Sequence, residues 1–163
     1  MKNKMDVNLP PSYTVRILNR LLLFIIIGNI IYIFVSFPSL PDEIPIHFNL
    51  AGEADNWGNK AIILIFPLLF KVVFLLLYFL AKDPSTYNYP VKVTEENAES
   101  LFVLARQMLT VMNFQVGVIM LFLTFYMIQT AKGVELPGFL LIVLITIVLG
   151  TTIYYLIKML KLK

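Results

Sequence analysis

Four long apolar runs, at about residues 21–37, 61–81, 108–128 and 137–157, alternate with short polar connectors. An α-helix rises about 1.5 Å per residue, so roughly 20 residues cross the hydrocarbon core of a bilayer, and each run comes close to that length. The pattern predicts an all-α integral membrane protein, a four-transmembrane-helix bundle. With connectors this short, residues 1–163 are expected to form a single membrane domain. The first run follows Lys2, Lys4, Arg16 and Arg20, as a cleavable signal would, but it ends at Ser36-Phe37-Pro38 without a small-x-small site and is read as a retained helix.

The connectors carry start and stop signals. Ser12 is placed to cap the first helix, with Pro10 and Pro11 as its breaker. Residues 83–90 are turn-rich, and Thr94 followed by Glu95 and Glu96 has the form of a helix start running into the third span and stopping near Gly133. Helices in lipid associate through close packing and polar contacts, because Leu against Leu gains little over lipid tails. Helical spacing lines up Gly28 or Asn29, Tyr32 and Ser36 on the first helix, Thr110, Asn113, Gly117 and Thr124 on the third, and Thr146, Gly150 and Tyr154 on the fourth. These faces are expected to point inward.

Lys71 breaks the second run 11 residues from both Lys60 and Lys82, near the bilayer midplane, where a lysine costs about 2.5–3.5 kcal/mol. Lys60, Pro67, Lys71, Tyr78 and Lys82 share one helical face, which predicts an inward stripe, with a bend allowed at Pro67. No Asp or Glu occurs inside any span, so solvation of Lys71 falls to Asn29, Asn113, Gln115, tyrosine hydroxyls, water or a bound anion.

Composition agrees with a lipid environment: the chain is 59% hydrophobic and 14% charged, with a mean hydropathy of +0.82, against roughly 25% charge in soluble domains. Cysteine is absent, which excludes disulfides and thiolate chemistry. Outside the spans, ten Lys and Arg lie in the N-terminal segment, the 82–106 connector and the C-terminal tail, against Lys60 and Lys132 in the other two loops. That asymmetry places both termini in the cytoplasm and makes 38–60 extracytoplasmic. The pI near 9.1 is then a topology signal, and no nucleic-acid partner is expected.

The loop between the first two spans holds the only histidine, the only tryptophan and four of the ten carboxylates. Pro41 and Pro45 hold the chain extended, and Ile44, Ile46 and Phe48 alternate with Pro45, His47 and Asn49, the period of a short strand with one apolar side. Gly52 and Gly58 permit turns. The expectation is an ordered cap on the outer membrane surface, with Phe48 and Trp57 anchored at the interface and His47, Asn49 and Asp55 facing polar surroundings. His47, Glu53 and Asp55 are suitable metal donors, but a lone histidine without an HExxH-like pair is a weak signal, and neither GxSxG nor a phosphate loop is present. No metal, cofactor or catalytic activity is expected.

Residues 40–60, read as Leu-Pro, two residues, Ile-Pro, one residue, His-Phe-Asn, two residues, Gly, two residues, Asp, one residue, Trp, two residues, Lys, resemble the signature of the bacterial membrane domain of unknown function 1648, found at the N-terminus of SdpI-type immunity proteins. The motif positions by resemblance are Pro41, Pro45, His47, Phe48, Asn49, Gly52, Asp55, Trp57 and Lys60. The resemblance implies a multi-pass bacterial plasma-membrane protein, linked in SdpI members to self-protection against secreted peptide toxins and to signalling toward a cytoplasmic repressor. The expected function is immunity or sensing through a peptide or lipid ligand held by His47, Asn49, Asp55, Trp57, Lys60 and Lys71, with Pro41, Pro45, Phe48 and Gly52 as structural positions. Partners would be the bilayer, that ligand, and a cytoplasmic regulator or membrane partner. The alternative is a small transporter or transporter subunit using Lys71 and the polar helix faces.

Overall fold

The computed structural model describes residues 10–49 and 51–163; Lys2 and Lys4 of the charge count and Leu50 of the loop motif lie outside the described residues. Among the described residues, four helical spans are long and apolar enough to cross a membrane. They are built on α1 (Tyr13–Ser36), α2 (Phe66–Leu80, which reaches spanning length only with the 3₁₀ turn Lys60–Ile65 before it), α3 (Ala98–Ala131) and α4 (Phe139–Leu160), and between α1 and α2 lie two strands, β1 (Glu43–Phe48) and β2 (Ala54–Asn59).

The helix ends follow their local chemistry. Ser12 caps α1 as expected, its hydroxyl accepting from Val15 N–H at 3.4 Å. The third helix starts one turn later than Thr94: the Thr94 hydroxyl accepts from Asn97 N–H at 3.4 Å while Asn97 Oδ1 accepts from Thr94 N–H at 2.8 Å, and regular α-helix begins at Ala98. At its other end, Gly133 N–H reaches Thr130 O at 2.9 Å and Val134 N–H reaches Gln129 O at 3.0 Å. This paired closure needs a left-handed residue, which Gly133 supplies at φ +79°.

Packing centres on α3, which contacts α1, α2 and α4. Its expected polar face is the buried one: Thr110, Asn113, Gly117 and Thr124 are all interior. A β-carbon on Gly117 would overlap the end of the Leu22 side chain, which packs into the space the glycine leaves. Asn113 Nδ2 donates to Phe74 O on α2 at 3.3 Å, and Gln115 Nε2 donates to Thr151 Oγ1 on α4 at 2.8 Å. On α1, Asn29 and Ser36 are buried and Tyr32 half-buried, whereas Gly28 is exposed.

Two expectations about faces need correction. Thr146, Gly150 and Tyr154 lie on the exposed side of α4, and the hydroxyl that meets α3 is Thr151. Thr146 satisfies itself by back-bonding to Ile142 O at 2.8 Å, so its polarity demands no interhelical partner. The inward stripe on the second span also fails, since Lys71 is exposed. Residues Lys60–Ile65 wind as a 3₁₀ helix of about three residues per turn, which shifts Lys60 out of phase with the α-helical positions that follow. Pro67 occupies the first turn of α2, where its missing N–H has no acceptor to serve.

At the end of the bundle formed by the start of α3, residues 83–97 fold back rather than loop free. Tyr87 and Tyr89 pack against the buried cluster of Ala98, Leu101, Phe102, Ala105 and Met159. Tyr87 donates to Leu80 O, and Tyr89 donates to Pro84 O at 2.7 Å. Burial pushes the Tyr87 hydroxyl up to about 12 against the opposing pull of Arg106, and raises Tyr89 as well. Asn97 Nδ2 donates to Leu162 O at 2.7 Å and ties the end of α4 to the start of α3.

Candidate functional site

The two strands form an antiparallel hairpin, so the loop is more regular than its prolines and glycines imply. Pairing runs Glu43 with Asn59, Ile44 with Gly58 and Pro45 with Trp57; Gly58 is thus a strand residue and not a turn. Ile46 crowds the position where a Gly58 β-carbon would stand, at 3.0 Å, which explains a glycine inside a strand. After Pro45 the register slips twice, to His47 with Asn56 and then Phe48 with Ala54. Pro45 has no N–H for the ladder, and the first slip leaves Ile46 as the extra residue; the second leaves Asp55.

The slips place the chemistry. Asp55, extra on its strand, turns its carboxylate beside the imidazole, with Oδ1 at 2.5 Å from His47 Nδ1. Both side chains are open to solvent, 66% for His47 and 43% for Asp55. With Nδ1–H donating to the carboxylate, Nε2 is the nitrogen presented outward.

Asn49 builds the turn. Its Oδ1 accepts from Ala51 N–H at 2.9 Å and Glu53 N–H at 3.0 Å, while its Nδ2 donates to Glu53 Oε2 at 2.9 Å. Gly52 completes the turn at φ +84°. Asn49 is therefore a fold-determining side chain, and Glu53 is engaged with it. Among the described residues no three His, Cys, Asp or Glu side chains converge for a metal ion.

The base of the hairpin is clamped by Lys60. Its Nζ donates to Leu40 O and meets Asp42 Oδ1, both at 3.2 Å, and stands 5.7 Å from the Phe37 ring centroid. Pro45 is fully buried. Ile44 and Leu40 join Ile33, Ile63, Met127 and Ile128 in one buried cluster, with Ile46 and Phe48 packed on it. The apolar side of the hairpin therefore covers the ends of α1, α2 and α3. Phe48 is half-buried, and its ring meets Tyr126 edge-on at 4.8 Å. Trp57 keeps 48% of its surface exposed.

Tyr126 and Gly138 were not anticipated, and both hold the turn. The Tyr126 hydroxyl lies 2.8 Å from each of the carbonyls of Gly52 and Leu136. Gly52 and Gly138 touch through their backbones, since a β-carbon on either would overlap the other. A tyrosine near the end of an apolar run and a glycine after Pro137 were the available signals, and neither names its partner.

Residues 24–70 match the family model described as Domain of unknown function (DUF1648). The DUF1648 match starts within α1, takes in the whole hairpin and ends in α2, so α3, α4, Tyr126 and Gly138 lie outside it. No curated protein and no solved structure matches the chain.

Of the expected ligand-binding residues, the structure brings together His47 with Asp55 and sets Asn49 and Trp57 on the same hairpin, with Lys60 at its base. Lys71 stands apart on the exposed side of α2, while the amides of Asn113 and Gln115 donate to Phe74 O and Thr151 Oγ1 instead. Along the hairpin turn runs a groove of about 480 Å³, bounded by Glu53, Trp57, Thr130, Val134 and Glu135.

Two predictions follow from this geometry. Tyr126→Phe should keep the ring contact with Phe48 but lose about 1 kcal/mol of docking, and Gly138→Ala should displace the turn outright. Proteolysis of the hairpin in detergent micelles should rise modestly in the first and strongly in the second, while Gly150→Ala, in open space, stays at the native level. Lys71→Leu should insert at least as well as the native chain, since a cost of about 2.5–3.5 kcal/mol disappears, and should leave hairpin protection unchanged; a drop in hairpin protection would tie Lys71 to the cap.

Proposed function

We propose that the hairpin is an extracytoplasmic recognition cap of a bacterial plasma-membrane protein of SdpI-like type, serving immunity or sensing against a secreted amphipathic peptide. The carrying observation is the groove of about 480 Å³ along the turn, where an exposed Trp57 stands with the carboxylates Glu53 and Glu135. An aromatic face beside two acids suits a ligand that is both apolar and cationic. The His47–Asp55 pair on the same hairpin adds an imidazole nitrogen held in fixed orientation. The Lys and Arg asymmetry supports cytoplasmic termini and this loop outside, and a cytoplasmic regulator or a membrane partner would receive the signal. The role is binding and not catalysis. Lys71 lies on the exposed side of α2, away from the buried polar face of α3, so the two features do not join into one path for a transported solute.

Two measurements check this. With a cationic amphipathic peptide as probe, Trp57→Ala and Asp55→Ala should weaken binding to the purified protein roughly 10- to 30-fold and reduce survival of challenged cells, with membrane abundance nearly unchanged. Replacing 42–59 by a Gly/Ser linker of equal length should abolish protection; a stable and fully protective linker variant overturns the proposal. For orientation, single cysteines at the exposed positions Asn56 and Asn88 should label oppositely with an impermeant maleimide in intact cells, Asn56→Cys reacting and Asn88→Cys not.

A further inference from the structure

At the end of the bundle away from the hairpin, α1, α2 and α3 enclose a pocket of about 420 Å³. Among the described residues, four cationic side chains from three different segments line it, Arg16 and Arg20 on α1, Lys82 after α2 and Arg106 on α3, and no Asp or Glu does. Arg16, Arg20 and Lys82 repel one another across the cavity unless an anion stands among them.

The four cations are not equivalent. Arg106 is a wall: its Nε and Nη2 donate to the carbonyls of Ala81 and Lys82 at 3.2 Å each, closing the C-terminal end of α2. Lys82 is held over the rings of Tyr78 and Phe79, 4.8 and 5.0 Å from their centroids. Arg16 and Arg20 stand one helical turn apart and are both exposed, with the Asn19 amide between them lining the same space. Two guanidinium forks and an ammonium present the donors that a phosphate accepts.

Depth and wall chemistry narrow the source. Arg20 directly precedes the apolar run of α1 and Lys82 directly follows that of α2, which sets the cations at head-group level. Val15, Leu77 and Ala81 supply an apolar side to the same pocket. We infer that this pocket binds the phosphate of an anionic phospholipid, with Arg16, Arg20 and Lys82 as its ligands and the acyl chains leaving along the apolar wall. The site is separate from the hairpin groove, and its test does not depend on the proposed recognition role.

The test uses the full chain reconstituted in vesicles of equal parts phosphatidylcholine and phosphatidylglycerol, then extracted in mild detergent for native mass spectrometry of retained lipid. Phosphatidylglycerol should be retained in preference to phosphatidylcholine. The double variant Arg16→Gln/Arg20→Gln should lose that preference by roughly 30-fold, Lys82→Gln should lose part of it, and Lys132→Gln, outside the pocket, should keep it. Should the double variant fail to fold, Arg16→Lys/Arg20→Lys replaces it, retaining charge but losing the paired forks, and partial retention is expected. Displacement of the lipid by millimolar inorganic phosphate overturns the lipid source in favour of a free anion. Equal retention of both lipids, or equal loss in Lys132→Gln, overturns the site.

Discussion

The backbone contact between Gly52 and Gly138, with the Tyr126 hydroxyl beside it, decides whether there is a cap at all. A lone two-stranded hairpin is marginal in water, and this one is weakened further by two register slips and a proline within the ladder. It persists because its apolar side is sealed by the ends of α1, α2 and α3 while its turn is seated where α3 passes into α4. Any side chain at Gly52 or Gly138 would push the two surfaces apart. The exposed His47–Asp55 pair and Trp57 inherit their positions from that seat.

The helices beneath are joined by different means. In lipid, apolar area gives little preference for one neighbour over another, so small residues and polar groups select the contacts. Gly117 admits Leu22, Asn113 reaches the α2 backbone and Gln115 reaches Thr151, all from α3. α3 is also the least hydropathic of the four spans, at 1.9, and the most buried, at 33%. The most hydropathic, α2 at 2.7, is the one that carries Lys71 on an exposed face. Its apolar surplus offsets the charge without a partner.

Much of this was legible in the chain. Run length and hydropathy are local properties, so the four helices, the Ser12 cap and the Gly133 stop could be read directly. Composition around His47 marked the loop, and Gly52 as a turn followed from its freedom at positive φ. The second strand was hidden because Ala54-Asp55-Asn56-Trp57-Gly58-Asn59 has neither alternation nor β-branched residues; it forms by pairing with β1 and not by its own preference. The faces of α4 and α2 were misread for related reasons. Thr146 can satisfy its hydroxyl on its own helix, and a 3₁₀ start changes the helical phase, neither of which a regular wheel represents. Tyr126 and Gly138 required knowledge of which distant segments meet.

Those distant segments also set an order in time. Gly52 and Tyr126 are 74 residues apart, and the ribosome adds roughly 5–20 residues per second. The hairpin is therefore finished several seconds before the tyrosine that anchors it exists, and Gly138 comes later still. During that interval Ile44, Ile46 and Phe48 lack the cover of Met127 and Ile128. A nascent chain stalled between α2 and α3 would hold the complete matched segment and yet present its apolar strand bare, a substrate for chaperones and proteases rather than a folded cap.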